Sequence, residues 1–356
     1  MPDRISKLAV LGAGLIGRKH CELIASFSGT ELAVIIDPVP SVAELAEQYG
    51  AKWYPSLDAF FEADRADAPV IDGAVIATPN DCHAPQALRL IERKIPLLIE
   101  KPIADSAENA RLIQTAAAAS SIPVLVGHHR RHNPLIKKAK ALIDDGAIGR
   151  PLSVSMLCWL MKPDHYFDVD WRRRKGAGPI YINLSHDLDL LRYLLGDVVQ
   201  VYAQQRHDAR GYEVEDTACI MLNCDNGALA TISLSDTIVA PWSWEHTAGE
   251  NPAYPRTSEH AYLIGGTHGS LGLPNLSLWQ AQSERSWWQP MQQLKPIYGN
   301  EDPFISQLEH FTEVISGTAQ PLITPDDGVA NVQIIDAIKM SAETGQPVPI
   351  GKAQSN

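Results

Sequence analysis

Two short stretches of this sequence carry side chains suited to moving a proton. Glu100-Lys101-Pro102 follows directly on the apolar run Pro96-Leu-Leu-Ile99, and Asn183 stands three residues before His186 in a leucine-striped segment. Charged residues seldom sit where the backbone is still next to a core unless they pair or do chemistry. Lys101 is therefore the candidate acid/base or carbonyl-polarising group, and a structural ion pair with Glu100 is the alternative. On a helix over Asn183–Gly196, Leu184, Leu188, Leu191 and Leu195 would bury one stripe, and Asn183 and His186 would share another face. A helical histidine taken alone is more often structural than catalytic.

A third pattern binds rather than reacts. Leu8-Ala-Val-Leu-Gly-Ala-Gly-Leu-Ile-Gly-Arg18 is an apolar run that opens into Gly12-x-Gly14-x-x-Gly17. A buried parallel strand turning sharply into a helix needs glycine where a side chain would strike the turn, a ligand or the helix. The amides after Gly12 would then point out of a helix N-terminus, which suits a pyrophosphate. Twenty residues beyond Gly17, the run Leu32–Asp37 ends in an acid, the spacing expected of a carboxylate that accepts from ribose hydroxyls. A turn cap before Pro38 is the plainer role for Asp37. Asp37 would repel a 2′-phosphate, and no Arg or Lys follows before Lys52, so NAD is favoured over NADP.

Alternating elements must position these residues. From Lys7 to about Val126, strand-like runs (Leu8–Leu11, Leu32–Ile36, Gly73–Ala77, Leu97–Ile99, Val124–Val126) alternate with helix-like segments, which predicts a parallel sheet covered on both faces. Ligands on such sheets sit at the carboxyl ends of the strands. Those ends carry Thr78-Pro79-Asn80 with His83, then Glu100-Lys101-Pro102, then Gly127–Pro134 with three histidines and two arginines at the rim. Thr78 would either cap the next helix or lie with Asn80 along a dinucleotide. Metal binding by the histidines is set aside, since no carboxylate or cysteine partners are arranged nearby.

Further on, a helix is expected over Asn133–Gly149, ending at Gly146 or Gly149. Period-2 runs follow at Pro151–Trp159, Val198–Gln205, Thr217–Asn223 and Ala228–Ser235, the last two joined by the turn Asp225-Asn226-Gly227. Pro163–Gly178 and Pro241–His260 read as loops, and Trp242, Trp244 and Glu245 of the second are candidates to reach a substrate. Pro325–Thr344 has helical spacing of apolar residues.

The totals bound the function. A chain of 356 residues with 45% hydrophobic and 20% charged residues is expected to fold as two domains. A net charge of −12 argues against nucleic acid or anionic lipid as a partner. No run approaches the ~20 apolar residues of a membrane span. Five cysteines without C-x-x-C spacing signal neither a disulfide framework nor a zinc site, and reduced cytoplasm is the simplest home. The first apolar strand is followed by glycines rather than a cleavage site, so it does not read as a signal peptide.

Taken together, the motifs resemble the glucose-fructose oxidoreductase/inositol dehydrogenase (Gfo/Idh/MocA) family. The matching pieces are Gly12-x-Gly14-x-x-Gly17, Asp37, Thr78-Pro79-Asn80 with His83, Glu100-Lys101-Pro102, Gly127–Pro134, Asp170-Trp171-Arg172, Ser185-His186-Asp187-Leu188-Asp189 and a closing segment from Asp302-Pro303 to Ile350. The resemblance implies an α/β Rossmann domain binding NAD over residues 1–127. Over 128–356 it implies an α+β domain with an open, mainly antiparallel sheet that carries substrate contacts and the oligomer interface. The activity implied is oxidation of a secondary hydroxyl of a sugar, an inositol-like cyclitol or a related ring polyol or acid by hydride transfer to nicotinamide. Lys101 or His186 would take the hydroxyl proton, and Asn183 would hold the substrate or the imidazole. Cofactor contacts are expected from Gly12, Gly14, Leu15, Ile16, Gly17, Asp37, Thr78, Pro79, Asn80, His83, Glu100, Lys101 and His129. Substrate contacts are expected from Lys101, Arg130, Trp171, Arg172, Asn183 and His186.

In relatives the Lys-Pro bond is often cis, which makes Lys101–Pro102 a candidate for that geometry. Relatives that oxidise polyols place an Asp four residues before the histidine. Here Ile182 stands at that position, and Asn183 can orient an imidazole but supplies no charge. A cytoplasmic homodimer or homotetramer is expected. Two further readings are an NAD-using glycoside hydrolase on the same fold, which would accumulate no NADH, and a dinucleotide-binding regulator without catalysis.

Overall fold

The computed structural model describes residues 5–63 and 69–351. Its packing divides into two units. One runs to His132 and takes in Asp302–Val332; the other consists of Asn133–Glu301 and the chain from Gln333 onward. The sequence reading placed one break, after residue 127; the packing adds a return of residues 302–332 to the first unit. Leu308, Phe311, Ile323, Val329 and Val332 bury themselves in the first core, and the Val126 amide donates to the Ile323 carbonyl at 3.0 Å.

In the first unit β1 (Ser6–Leu11), β2 (Thr30–Ile36), β3 (Lys52–Tyr54), β4 (Gly73–Ile76), β5 (Leu97–Ile99) and β6 (Val124–Val126) form one sheet in the order β3-β2-β1-β4-β5-β6. Every pairing is parallel. Between the strands run α1 (Leu15–Ser26), α2 (Val42–Gln48), α3 (Leu57–Glu62), α4 (Asn80–Glu92) and α5 (Ala107–Ser120). The order is that of a Rossmann fold, in which ligands lie beyond the carboxyl edge of the strands. The central strands are apolar throughout because both faces are covered: Val10, Val75 and Leu97 are fully buried.

The second unit begins with α6 (Pro134–Asp144), closed just before Gly146 as expected. Then come β7 (Pro151–Trp159), α7 (Pro179–Ile182), α8 (Ser185–Leu195), β8 (Val198–Arg206), β9 (Thr217–Cys224), β10 (Leu229–Ser235), α9 (Trp244–Ala248), β11 (Tyr262–Gly266), β12 (Gly269–Leu273), β13 (Ser277–Ala281) and β14 (Met291–Leu294). After α10 (Pro303–Ser316) and α11 (Pro325–Thr344), β15 (Val348–Pro349) completes a nine-stranded sheet ordered β14-β13-β12-β11-β7-β10-β9-β8-β15. Only β7 and β10 pair in parallel, so the sheet is mainly antiparallel, and their carboxyl ends lie side by side at Trp159 and Ser235. The core on one face takes Val154, Met156, Ile220, Leu222, Ile232 and Leu234, every second residue of their strands. Among the described residues, no helix is long and apolar enough to cross a membrane.

Candidate active site

The glycine turn assigns a separate task to each glycine. Gly12 has φ +86°, and a Cβ there would come within 2.7 Å of the Ala77 carbonyl oxygen; a Cβ at Gly17 would lie 1.9 Å from the Gly12 carbonyl oxygen. Chain folding alone therefore requires the first and third. A Cβ at Gly14 would meet nothing within 4 Å. Open space over Gly14, beside the uncapped start of α1 and next to Leu15, which is 95% exposed, is a cradle into which a diphosphate fits. Asp37, at the end of β2, accepts from the Ala13 amide at 2.7 Å and from the Val39 amide at 2.8 Å, so one carboxylate holds the turn and caps its own strand end. The Trp53 indole donates to the Asp37 carbonyl at 2.9 Å. These residues fit an NAD diphosphate and ribose.

At the end of β4, Thr78 does not cap α4. Its hydroxyl donates to Gln86 Oε1 at 2.8 Å, while Pro79 takes the cap position and Asn80 is the first helical residue. His83 is fully enclosed, its ring nitrogens 3.0 Å from the Pro102 carbonyl and 2.9 Å from the Thr78 carbonyl. It ties the ends of β4 and β5 together, which is a positioning place rather than the cofactor contact expected of it. The Lys101–Pro102 bond is cis. Glu100 is buried, and Lys101 is half-buried and directed from the same strand end.

The basic run after β6 was expected at the rim, and the structure corrects this. Of His128–His132 only His129 keeps partial exposure. A 3-10 turn over His129–His132 packs against α10, with Phe304 stacked on His129 at 4.0 Å between centroids and His310 tilted against His132. Arg131 pairs with Asp327 at 3.1 Å, and Asn331 Nδ2 lies 3.2 Å from His128 Nε2. Arg130, an expected substrate contact, is buried.

In the second unit α8 begins at Ser185, later than expected, because a one-turn helix from Pro179 precedes it. Asn183 lies between the two helices, where the backbone stays right-handed helical (φ −95°, ψ −42°). Its Oδ1 and the Ser185 hydroxyl are enclosed without hydrogen-bond partners among the described residues, either side of buried Leu184 and next to buried His186. Trp171 is exposed and Arg172 half-buried, the latter donating from Nη1 to the Tyr166 carbonyl at 2.9 Å. Arg174 and Lys175 are exposed, whereas Arg173 Nε donates to the Phe167 carbonyl. Trp244 is no substrate contact: it is buried and stacks on Tyr262.

Two residues passed over in the sequence bear on the site. His20 in α1 places Nε2 2.8 Å from Glu100 Oε1, with both side chains buried. Burial by itself would push the Glu100 carboxyl up; the His20 hydrogen bond and charge, with Lys101 and His129, more than reverse this and hold it below its ordinary value. Glu215 accepts from the Ile180 amide at 3.0 Å and so fixes the start of α7, and burial pushes its carboxyl up. The capping geometry of α7 could have flagged Glu215 only with its distant partner known.

Comparison with known proteins gives a consistent grouping. Residues 6–128 match the family described as oxidoreductase family, NAD-binding Rossmann fold, and residues 136–272 match the GFO/IDH/MocA C-terminal domain. A scyllo-inositol 2-dehydrogenase (NAD(+)) of Bacillus subtilis is 26% identical over 97% of this chain and 96% of its own length. Inositol 2-dehydrogenase 4 of Saccharopolyspora erythraea is 30% identical over 66% of this chain and 68% of its own. Among solved structures, an Agrobacterium radiobacter oxidoreductase in complex with NAD+, L-tartaric acid and magnesium is 22% identical with a TM-score of 0.78, covering 97% of this chain and 98% of that one. The WlbA dehydrogenase of Bordetella pertussis, in complex with NADH and UDP-GlcNAcA, is 23% identical with the same score over 98% of this chain and all of that one.

Proposed function

The chain belongs to the Gfo/Idh/MocA family of oxidoreductases, with an NAD-binding Rossmann domain, and from that premise we propose that it oxidises a secondary hydroxyl of a sugar, a cyclitol or a related ring polyol or hydroxy acid. The observation that carries the reading is Lys101, set at the carboxyl end of β5 behind a buried Glu100 held ionised by His20, in the same unit as an open glycine cradle. The names of the inositol dehydrogenase relatives support an alcohol of this class.

NAD, when bound, supplies the acceptor for the substrate's carbinol hydride. Gly12, Gly14, Leu15, Ile16 and Gly17 would hold its diphosphate, Asp37 its ribose, and Thr78, Pro79, Asn80 and His129 would border it. The remaining chemistry belongs to protons. As the carbinol carbon loses hydride, its hydroxyl proton must pass to a base, and Lys101 Nζ or the His186 imidazole takes it; in the opposite direction the same group returns it to the carbonyl oxygen. As a neutral amine Lys101 would accept that proton, and as an ammonium it would polarise the carbonyl oxygen of the product. Asn183, with an enclosed and unpartnered Oδ1, would hold a substrate hydroxyl in place of the acid missing at Ile182. Trp171 and Arg172 would border the same substrate. Assembly as a cytoplasmic homodimer or homotetramer forms part of this proposal.

The test is a panel of sugars, inositols and ring hydroxy acids with NAD, followed at the reduced-nicotinamide absorbance band. Steady accumulation of NADH with at least one compound is expected. A substrate cleaved with no net NADH would point instead to transient oxidation and contradict the assignment.

A further inference from the structure

Beyond the residues discussed so far, the second unit buries a lysine that the dehydrogenase reading does not use. Lys162 follows the end of β7 by three positions, and Asp236 follows β10 by one, so the adjacent ends of the two parallel strands bring them together. Lys162 Nζ lies 3.2 Å from Asp236 Oδ2, with both side chains more than nine-tenths buried. Asp236 is shared: Arg210 reaches its other oxygen and also donates to the Lys162 carbonyl at 2.9 Å and the Asp236 carbonyl at 2.6 Å. Asp216 is engaged elsewhere, accepting from the Ala209 and Arg210 amides at 3.0 and 3.2 Å.

An ammonium has three N–H donors. Lys162 Nζ is ion-paired with Asp236, yet among the described residues it is enclosed without a hydrogen-bond partner. Burial, together with the Arg210 guanidinium, pushes the Lys162 ammonium down against the pull of Asp236. A second buried donor lies close by. Lys162 Nζ is 4.9 Å from the centroid of the Tyr166 ring, and the Arg172 guanidinium is 4.2 Å from the same centroid. Arg172 Nε is also enclosed without a partner. Buried N–H groups left unpaired are costly, and cationic ones match an oxyanion best. A purely structural pair would need only Asp236; two enclosed cationic donors on one phenol ring exceed that need.

We propose that Lys162, with Arg172, forms a subsite that receives a carboxylate of the substrate and so selects hydroxy acids over neutral polyols. The alcohol part of that substrate rests on the dehydrogenase reading above. Lys162 is then a specificity-determining residue, Asp236 holds its ammonium in place, and Arg210 holds Asp236.

The test measures binding without turnover. Calorimetric titration of the NAD-saturated protein is run with glucuronate, galacturonate and quinate against glucose, galactose and myo-inositol. At least one acid is expected to bind about tenfold or more tighter than its neutral counterpart, the difference a charge-assisted hydrogen bond supplies. Lys162→Met should abolish that preference and leave neutral binding unchanged, and Lys162→Arg should keep most of it. Lys162→Gln, which retains a polar end, is measured alongside, with cooperative urea unfolding of the whole chain as the check that each variant is folded. Acids that bind no tighter than neutral compounds, or a preference that survives in Lys162→Met and Lys162→Gln, would overturn the proposal. Coenzyme reduction with the same panel separates the two claims: an acid preference without any NADH would sink the dehydrogenase reading and leave the subsite standing.

Discussion

His20 Nε2 and Glu100 Oε1 lie 2.8 Å apart, although the residues are eighty positions apart in the chain, and both side chains are buried. Glu100 Oε2 in turn accepts the Lys101 amide at 3.2 Å. The pair is the anchor of the β5 end, and its loss has consequences for stability and for pH.

Removing the imidazole leaves a buried carboxylate without its partner. His20→Leu is expected to cost about 3–5 kcal/mol at neutral pH, the penalty for breaking a buried pair from one side. Because the Glu100 carboxyl is held low in the folded protein, its contribution is present above its unfolded value and is lost as pH falls through the folded one. The gap between wild type and variant should therefore be widest near neutrality and narrow on acidification. Urea unfolding at a series of pH values measures it, and a gap independent of pH would contradict the pairing.

Gly14 and Gly17 separate binding from folding. Gly17→Ala places a Cβ 1.9 Å from a backbone oxygen, so the turn must open; a loss of about 3 kcal/mol or more in thermal or urea unfolding is expected. Gly14→Val meets open space and should unfold within about 1 kcal/mol of wild type, yet lose NAD affinity about tenfold or more by filling the diphosphate cradle. A folded Gly14→Val that binds NAD normally would remove the cradle from the account.

Asp37 joins the turn to the ribose position through its 2.7 Å bond from the Ala13 amide. Asp37→Ala should cost about 1–3 kcal/mol for the two unpaired amides and raise the Kd for NAD about tenfold, with the margin over NADP narrowing because the repelling carboxylate is gone. Parallel titrations of the two coenzymes measure this; unchanged NAD affinity would mean that Asp37 only supports the turn.

How much of this was legible depended on the range of the interactions. β1 and its glycines declare themselves because a doubly covered strand must be apolar throughout and the turn admits only glycine. The hairpin at Asp225–Gly227 and the helix Pro325–Thr344 were equally local. By contrast, β3 has three residues, too few for any period, and β11 and β12 are diluted by Gly265, Gly266, Gly269 and Gly272. α10 carried readable signals, with Asp302 capping, Pro303 at the start and Gly317 at the close, but not its destination in the first core. Nothing in the spacing pairs His20 with Glu100 or Lys162 with Asp236. Trp244 reads as a loop aromatic until Tyr262 is found stacked on it, and the basic rim after β6 vanishes beneath a helix more than 170 residues downstream.

The central claim is that Lys101 carries the proton chemistry of an alcohol oxidation. With the best compound from the panel, steady-state kinetics of Lys101→Ala should show kcat reduced about a hundredfold or more, while NAD binding measured directly stays within about twofold of wild type. A kcat equal to that of the wild type, with NAD bound as tightly, would contradict it.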